Sequence, residues 1–243
     1  MNINNYPSTD GYRTAVQAEN QQTLNRYVAN VMQRVFGKMS LGLLTTALTS
    51  FVVLSSDTLM SLFFGSSITF WVLAIAELGL VFYLSARIDR MSQTQATAMF
   101  YIYSALNGLT LTPIFMIYTA SSIAYTFVIT AATFGAMALF GYVTKQDLSK
   151  MGSILFMALI GLIICSLVNI FLKSTAMEWI ISVAGVLIFV GLTAWDTQKI
   201  KQMVAVSDST MVGKVSTMGA LTLYLDFINL FLYLLRFLGS SRD

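Results

Sequence analysis

Two stretches near the end of the chain, GLTAWDTQKIK at 191–201 and LTLYLDFINLFLYLLRFLG at 221–239, each carry one carboxylate within an apolar run. The carboxylates are Asp196 and Asp226. An apolar run of about 20 residues is long enough to cross a bilayer as a helix, and an acidic side chain at the centre of such a helix costs about 3 kcal/mol or more. Two of them on consecutive spans need a partner, a shared proton or water. These stretches therefore announce membrane helices and, in the same residues, a candidate site.

Composition points the same way. Hydrophobic residues make up 56% of the chain and charged residues 10%, whereas a soluble domain carries about a quarter charged. The chain reads as all-α, a polytopic membrane protein whose first partner is the lipid bilayer. A net charge of +3 with dispersed basic residues gives no footprint for nucleic acid. The single cysteine, Cys165, excludes an intramolecular disulfide and reads as a small apolar residue. Histidine is absent, which removes His-Glu-x-x-His zinc sites and Ser-His-Asp triads and leaves proton chemistry to carboxylates, Tyr or Lys. No cofactor is implied, and the leading reading is not an enzyme.

Seven apolar segments lie at about 35–55, 68–86, 94–118, 121–143, 151–172, 177–202 and 215–238. Short connections predict one seven-transmembrane-helix bundle over 23–243, preceded by a flexible polar tail at 1–22 without a visible signal peptide. Leu24, Val28, Val31 and Val35 recur at helical spacing and predict either an interfacial helix or an extended start of the first span. Of the 14 Lys and Arg residues, all but Lys173, Arg236 and Arg242 fall in loops on one side. The positive-inside rule then places the N-terminus in the cytoplasm. The C-terminus lies outside if the last segment crosses fully; a re-entrant final hairpin would disturb only Arg236 and Arg242. Gly108-Leu109-Thr110 and Gly191-Leu192-Thr193 are too short a match to claim an inverted repeat.

On the last span, Thr222, Asp226, Asn229, Tyr233 and Arg236 form a polar seam at helical period, which should face the bundle interior rather than lipid. Hydrogen-bonded glue between helices is the plainer alternative. Asp226 lies about 11 residues, or roughly 16 Å, into its helix, while Asp196 sits near the cytoplasmic end of its own. The two meet only if the sixth span continues two or three turns past Asp196, which TQKIKQMVAV, free of Gly and Pro, permits. Like charges in contact cannot both ionise cheaply, so such a pair would share a proton and titrate within physiological reach.

Arg87, at the end of the second span, is at the depth to pair with Asp196 or serves only as a topology anchor. Glu77, deeper on the same helix, either lines a cavity or is a neutral, hydrogen-bonded core residue. On the third span Asn107, Gly108, Thr110, Thr112 and Pro113 crowd together, and Pro113 should kink the helix and free a carbonyl near Leu109. That carbonyl is either a cation ligand or a by-product of packing.

The seven spans and the two aspartate motifs, GLTAWDTQKIK and LYLDFINLFLYLLRFLG, resemble the Bax inhibitor family, also called the transmembrane Bax inhibitor motif family, in a bacterial-type member. The resemblance covers nearly all of the chain after the tail. It implies a bundle with a central last helix in the bacterial inner membrane, and a pH-sensitive calcium leak. It implies further that Asp196 and Asp226 are a proton-sharing pair and transient Ca²⁺ ligands, and that Arg87, with Arg90 as fallback, latches the closed state. Glu77 matches an acidic position of the family, and Asn107, Thr222, Asn229 and Tyr233 are candidate pore or cavity residues beside it. Ca²⁺ and protons are thus the expected ligands.

Three rivals use the same residues. A membrane-embedded aspartyl hydrolase would employ the pair as general acid and base, although neither aspartate sits in a Gly-x-Gly-Asp context. A proton-coupled cation exchanger needs the same carboxylates. A non-transporting regulator of protein partners would need a docking surface, which nothing in the sequence marks.

Overall fold

A computed structural model describes residues 9–208 and 210–240, and the side chains of all of these but 9–16 and 89. Of the predicted tail at 1–22, residues 1–8 lie outside the described residues, as does Arg242. The helices are α1 (Thr9–Leu54), α2 (Asp57–Phe64), α3 (Ser67–Arg87), α4 (Gln93–Leu111), α5 (Ile114–Ile117), α6 (Ala120–Val143), α7 (Ser149–Leu172), α8 (Thr175–Val206) and α9 (Val212–Leu238). Seven segments are long and apolar enough to span a bilayer, with α4 and α5 together forming the third. Among the described residues there is no strand.

The first helix is longer than its apolar part. Its 46 residues rise about 69 Å at 1.5 Å each, over twice the bilayer's hydrocarbon thickness. Residues from Thr9 to Gln22 belong to this helix rather than to an irregular tail, and residues 17–26 are exposed. The predicted stripe holds, since Val28, Val31 and Val35 are buried while Leu24 is not. No break separates an interfacial segment from the span, so the extended-start reading describes α1. Tyr27 Oη donates to the Ser207 carbonyl at 3.4 Å, tying α1 to the α8–α9 turn.

The last span is the axis. Two thirds (67%) of its most apolar stretch is buried, against 6% for α3 and for α7. It packs against α8, α1, α6 and α4, while α3 leans mainly on α4, and α7 on α8. The outer helices turn Trp71, Ile75, Phe156 and Phe171 outward, which suits lipid as solvent, because helix association in a membrane comes from close packing and hydrogen bonds rather than from hiding apolar surface. Gly141 shows the packing. A Cβ there would lie 2.1 Å from the Ala194 carbonyl oxygen, so only glycine lets α6 meet α8 so closely.

The ends of α9 settle whether it crosses. Gly213 lies against the Gln93 side chain, at the Lys/Arg-rich end where α4 begins. At the other end Ser240 accepts from Thr119 N–H at 3.2 Å and donates to Ser122 Oγ at 2.9 Å, in the turn between the third and fourth spans. The helix therefore runs the full thickness of the bundle, and the re-entrant alternative falls. At Pro113 the chain breaks rather than kinks, with α4 ending at Leu111 and α5 starting at Ile114. The Leu109 carbonyl is not freed as predicted, because Thr112 N–H, 3.2 Å away, tightens the last turn and takes it.

Candidate functional site

Asp196 lies ten residues before the end of α8 and Asp226 fourteen residues after the start of α9. The helices run antiparallel and form the most extensive helix pair of the bundle, so these two counts bring the carboxyls to one depth. The predicted mismatch is resolved as the sequence allows, by α8 continuing unbroken to Val206. Both side chains are buried, Asp196 7% and Asp226 5% exposed, and their carboxyl groups are within hydrogen-bonding reach of one another. Two ionised carboxylates offer only acceptors. Counted that way, Asp226 Oδ2 faces no donor at all; a single proton between the two groups converts the contact into a short, strong hydrogen bond.

Among the described residues no ion pair includes either aspartate. Among the described residues the ion pair found is Arg236–Glu178, at 3.7 Å near the far end. Lys199, one turn from Asp196, influences it electrostatically, but its Nζ lies 4.8 Å above the Trp195 ring. Neighbouring hydroxyls turn away to their own helix, with Thr193 Oγ1 on Phe189 O and Thr197 Oγ1 on Thr193 O, each at 2.7 Å. Gln198 fixes the α6–α7 loop beside the site, accepting from Leu148 N–H at 2.9 Å and donating to Gln146 O at 2.8 Å.

Glu77 is elsewhere. Its carboxylate accepts from Asn107 Nδ2 and, at 2.6 Å, from Thr110 Oγ1. Asn107 Oδ1 takes the Tyr224 hydroxyl at 2.9 Å, and that hydroxyl also lies 2.6 Å from Thr46 Oγ1, which donates to Ser104 O at 2.9 Å. A chain of neutral groups thus ties α3, α4, α9 and α1 together around one carboxylate. Tyr224 and Asp226 are two residues apart on α9 and therefore point to nearly opposite sides. Glu77 and Asn107 thus belong to a hydrogen-bonded network apart from the aspartate pair.

The seam on α9 is realised in part. Thr222 Oγ1 and Asn229 Nδ2 bond their own backbone, to Met218 O at 3.1 Å and Leu225 O at 2.8 Å. Tyr233 stacks on Phe189 at 5.8 Å between centroids, and Gly185 makes room for its ring. Beyond it, Tyr233, Arg236, Glu178, Lys173, Asn169 and Ser166 line a cavity of about 480 Å³ at the far end. Asn229 and Tyr233 accordingly stand between the aspartates and that cavity, whereas Thr222 does not.

Residues 28–243 match the family described as "Inhibitor of apoptosis-promoting Bax1". The chain belongs to the Bax inhibitor family. It is 52% identical over 214 residues to the inner membrane protein YbhL of Escherichia coli strain K12, covering 87% of this chain and 92% of YbhL. An uncharacterized protein of Borreliella burgdorferi is 46% identical over 93% of this chain and 97% of its own length. Uncharacterized protein RP147 of Rickettsia prowazekii is 43% identical over 96% and 99%.

One contact implied by the likeness to the Bax inhibitor family is not formed here. Arg87 touches neither aspartate; it is exposed and lines a crevice of about 300 Å³ with Arg90, Tyr83 and Gln95. The reason is architectural, since α3 packs mainly on α4 rather than on α8. Sequence reasoning also passed over Lys38. Its Nζ, half-buried, has its three N–H groups among four oxygens, Thr217 Oγ1 at 2.6 Å, Ser216 Oγ at 3.1 Å, Gly213 O at 3.2 Å and Thr97 Oγ1 at 3.3 Å, binding α1 to α4 and the start of α9. The available signal was a lysine three residues past buried Val35 on the same apolar stripe.

Proposed function

We propose that this membrane protein is a pH-sensitive leak pathway for Ca²⁺, closed while Asp196 and Asp226 share one proton, with its N-terminus in the cytoplasm. The observation that carries the reading is the buried contact between the two carboxyl groups. One proton lost from the pair leaves two negative charges in contact inside the bundle, which drives α8 and α9 apart locally and attracts a divalent cation. Ca²⁺ and the proton then compete for the same oxygens by linkage. Among the described residues no three His, Cys, Asp or Glu side chains converge, so Ca²⁺ as cargo meets two carboxylates and completes its six to eight oxygens with water and neutral groups. That composition suits passage rather than storage, and the reading includes no enzymatic step.

The test is Ca²⁺ entry into dye-loaded proteoliposomes containing the full chain, measured across pH. Flux is expected to rise with pH as the shared proton leaves. Asp196→Asn and Asp226→Asn liposomes with the same pH response as the parent would end the shared-proton reading. Strict dependence on a counter-ion gradient would mark an exchanger instead.

A further inference from the structure

Helices α1 and α6 both pack on α9 but stand apart from one another. The gap is an apolar groove of about 840 Å³, continued toward the far end by a second cavity of about 450 Å³ that shares Leu43, Ala47, Phe127 and Phe227. Its rims are open to the surroundings, Leu44 being 54% and Leu139 62% exposed, so in a bilayer it opens sideways into lipid. Phe227 and Phe134, packed edge to face at 5.4 Å, line it from α9 and α6.

Gly135 on the groove wall is informative. A Cβ added there meets nothing within 4 Å, in contrast to Gly141, whose missing Cβ admits the Ala194 carbonyl. Glycine in a helix interior is a poor helix former, and here no helix approaches closely enough to require it. A larger side chain there would extend into groove space.

The Lys/Arg-rich end of the groove carries positive charge. Tyr142 and Gln33 line that end. Lys201 reaches across from α8, its Nζ 2.6 Å from the Tyr142 carbonyl and 4.8 Å from the Tyr142 ring centre. Among the described residues this is the one hydrogen bond its ammonium makes, leaving two N–H groups to meet an anion. Arg26 lies three residues before groove-lining Ala29 on the same helix face, and is exposed.

We propose that the α1–α6 groove holds an acyl chain of an anionic phospholipid from the leaflet at the Lys/Arg-rich end, with its phosphate between Lys201 and Arg26. Apolar length in the groove and cationic donors at its mouth match the two halves of such a molecule, and Tyr142 sits where amphipathic rings favour the membrane interface. The site does not depend on the Ca²⁺ reading.

Native mass spectrometry of the purified full chain, titrated with phosphatidylglycerol or with phosphatidylcholine of the same acyl chains, tests it. One phosphatidylglycerol should stay bound with about tenfold higher affinity than phosphatidylcholine, because both carry the phosphate but only the choline ammonium adds a positive charge that Lys201 and Arg26 repel. Joint Arg26→Gln and Lys201→Gln substitution should bring the two lipids to parity, and Gly135→Phe, which fills open space, should remove both. If Gly135→Phe fails to fold, Ala131→Leu on the same wall should weaken both lipids by a common factor. Equal retention of the two lipids by the parent, or unchanged phosphatidylglycerol binding in the groove-filling variant, overturns the proposal. So does a dimer that the groove-filling variant dissolves, since the occupant is then a second copy.

Discussion

Two regions of this bundle hold acidic side chains within the membrane, and they do so by opposite means. Around Glu77, neutral donors from Asn107 and Thr110 meet the carboxylate, and Tyr224 and Thr46 extend the chain of bonds. Asp196 and Asp226 have one another, and among the described residues no hydroxyl, amide or cation supplies a donor to Asp226 Oδ2. A carboxylate surrounded by donors is satisfied in its ionised form, whereas two carboxyls in contact are satisfied only with a proton between them. The first arrangement is built for structure. The second is the one on which the proposed pH response rests.

The sharpest way to break this comparison is Asp226→Asn. An amide facing Asp196 supplies its own donor and needs no proton, so Ca²⁺ flux in proteoliposomes should lose a pH response of about tenfold or more. Glu77→Gln, by contrast, should leave the pH profile of flux where it is. A shifted profile in that variant would merge the two regions into one titrating unit.

The next effect is on stability. Asn107→Ala leaves the Glu77 carboxylate and the Tyr224 hydroxyl each short of a partner, a loss of about 1–3 kcal/mol, which should lower the melting temperature in detergent by about 2–4 °C for each kcal/mol. Tyr224→Phe removes a single hydroxyl bridging Asn107 and Thr46, and should cost about 1 kcal/mol with the pH response intact, although Tyr224 is two residues from Asp226. The smallest change is expected from Arg87→Gln. Because Arg87 reaches neither aspartate here, resting flux should stay within about twofold of the parent, under half a kcal/mol; a larger rise would show that a latch forms in a state other than this one.

Much of the architecture was legible in the chain. Apolar runs near 20 residues and the alternation of Lys and Arg between loops predicted seven helices and their order, and the absence of Gly and Pro after Asp196 permitted the long reach of α8. Each is a local property, set by transfer of side chains into lipid and by helix propensity. The seam on α9 was legible too, because helical period puts Asp226, Asn229 and Tyr233 on one face. Thr222 fits the same period, yet its hydroxyl bonds back to Met218, because a helical hydroxyl without a facing partner turns to the preceding turn.

What only the tertiary structure decided are the relations between helices. That Asp196 and Asp226 touch depends on an antiparallel α8–α9 packing at one register. That Glu77 finds Asn107 and Arg87 misses Asp196 follows from α3 resting on α4. That Lys38 sits among four oxygens from α4 and α9, and that α1 and α6 leave a lipid-facing groove, follow from how they pack around α9. The sequence by itself determined which groups cannot stand alone in hydrocarbon, since that cost belongs to each side chain. It did not determine which neighbour relieves the cost, since hydrogen bonds of a few ångströms depend on distances between segments far apart in the chain.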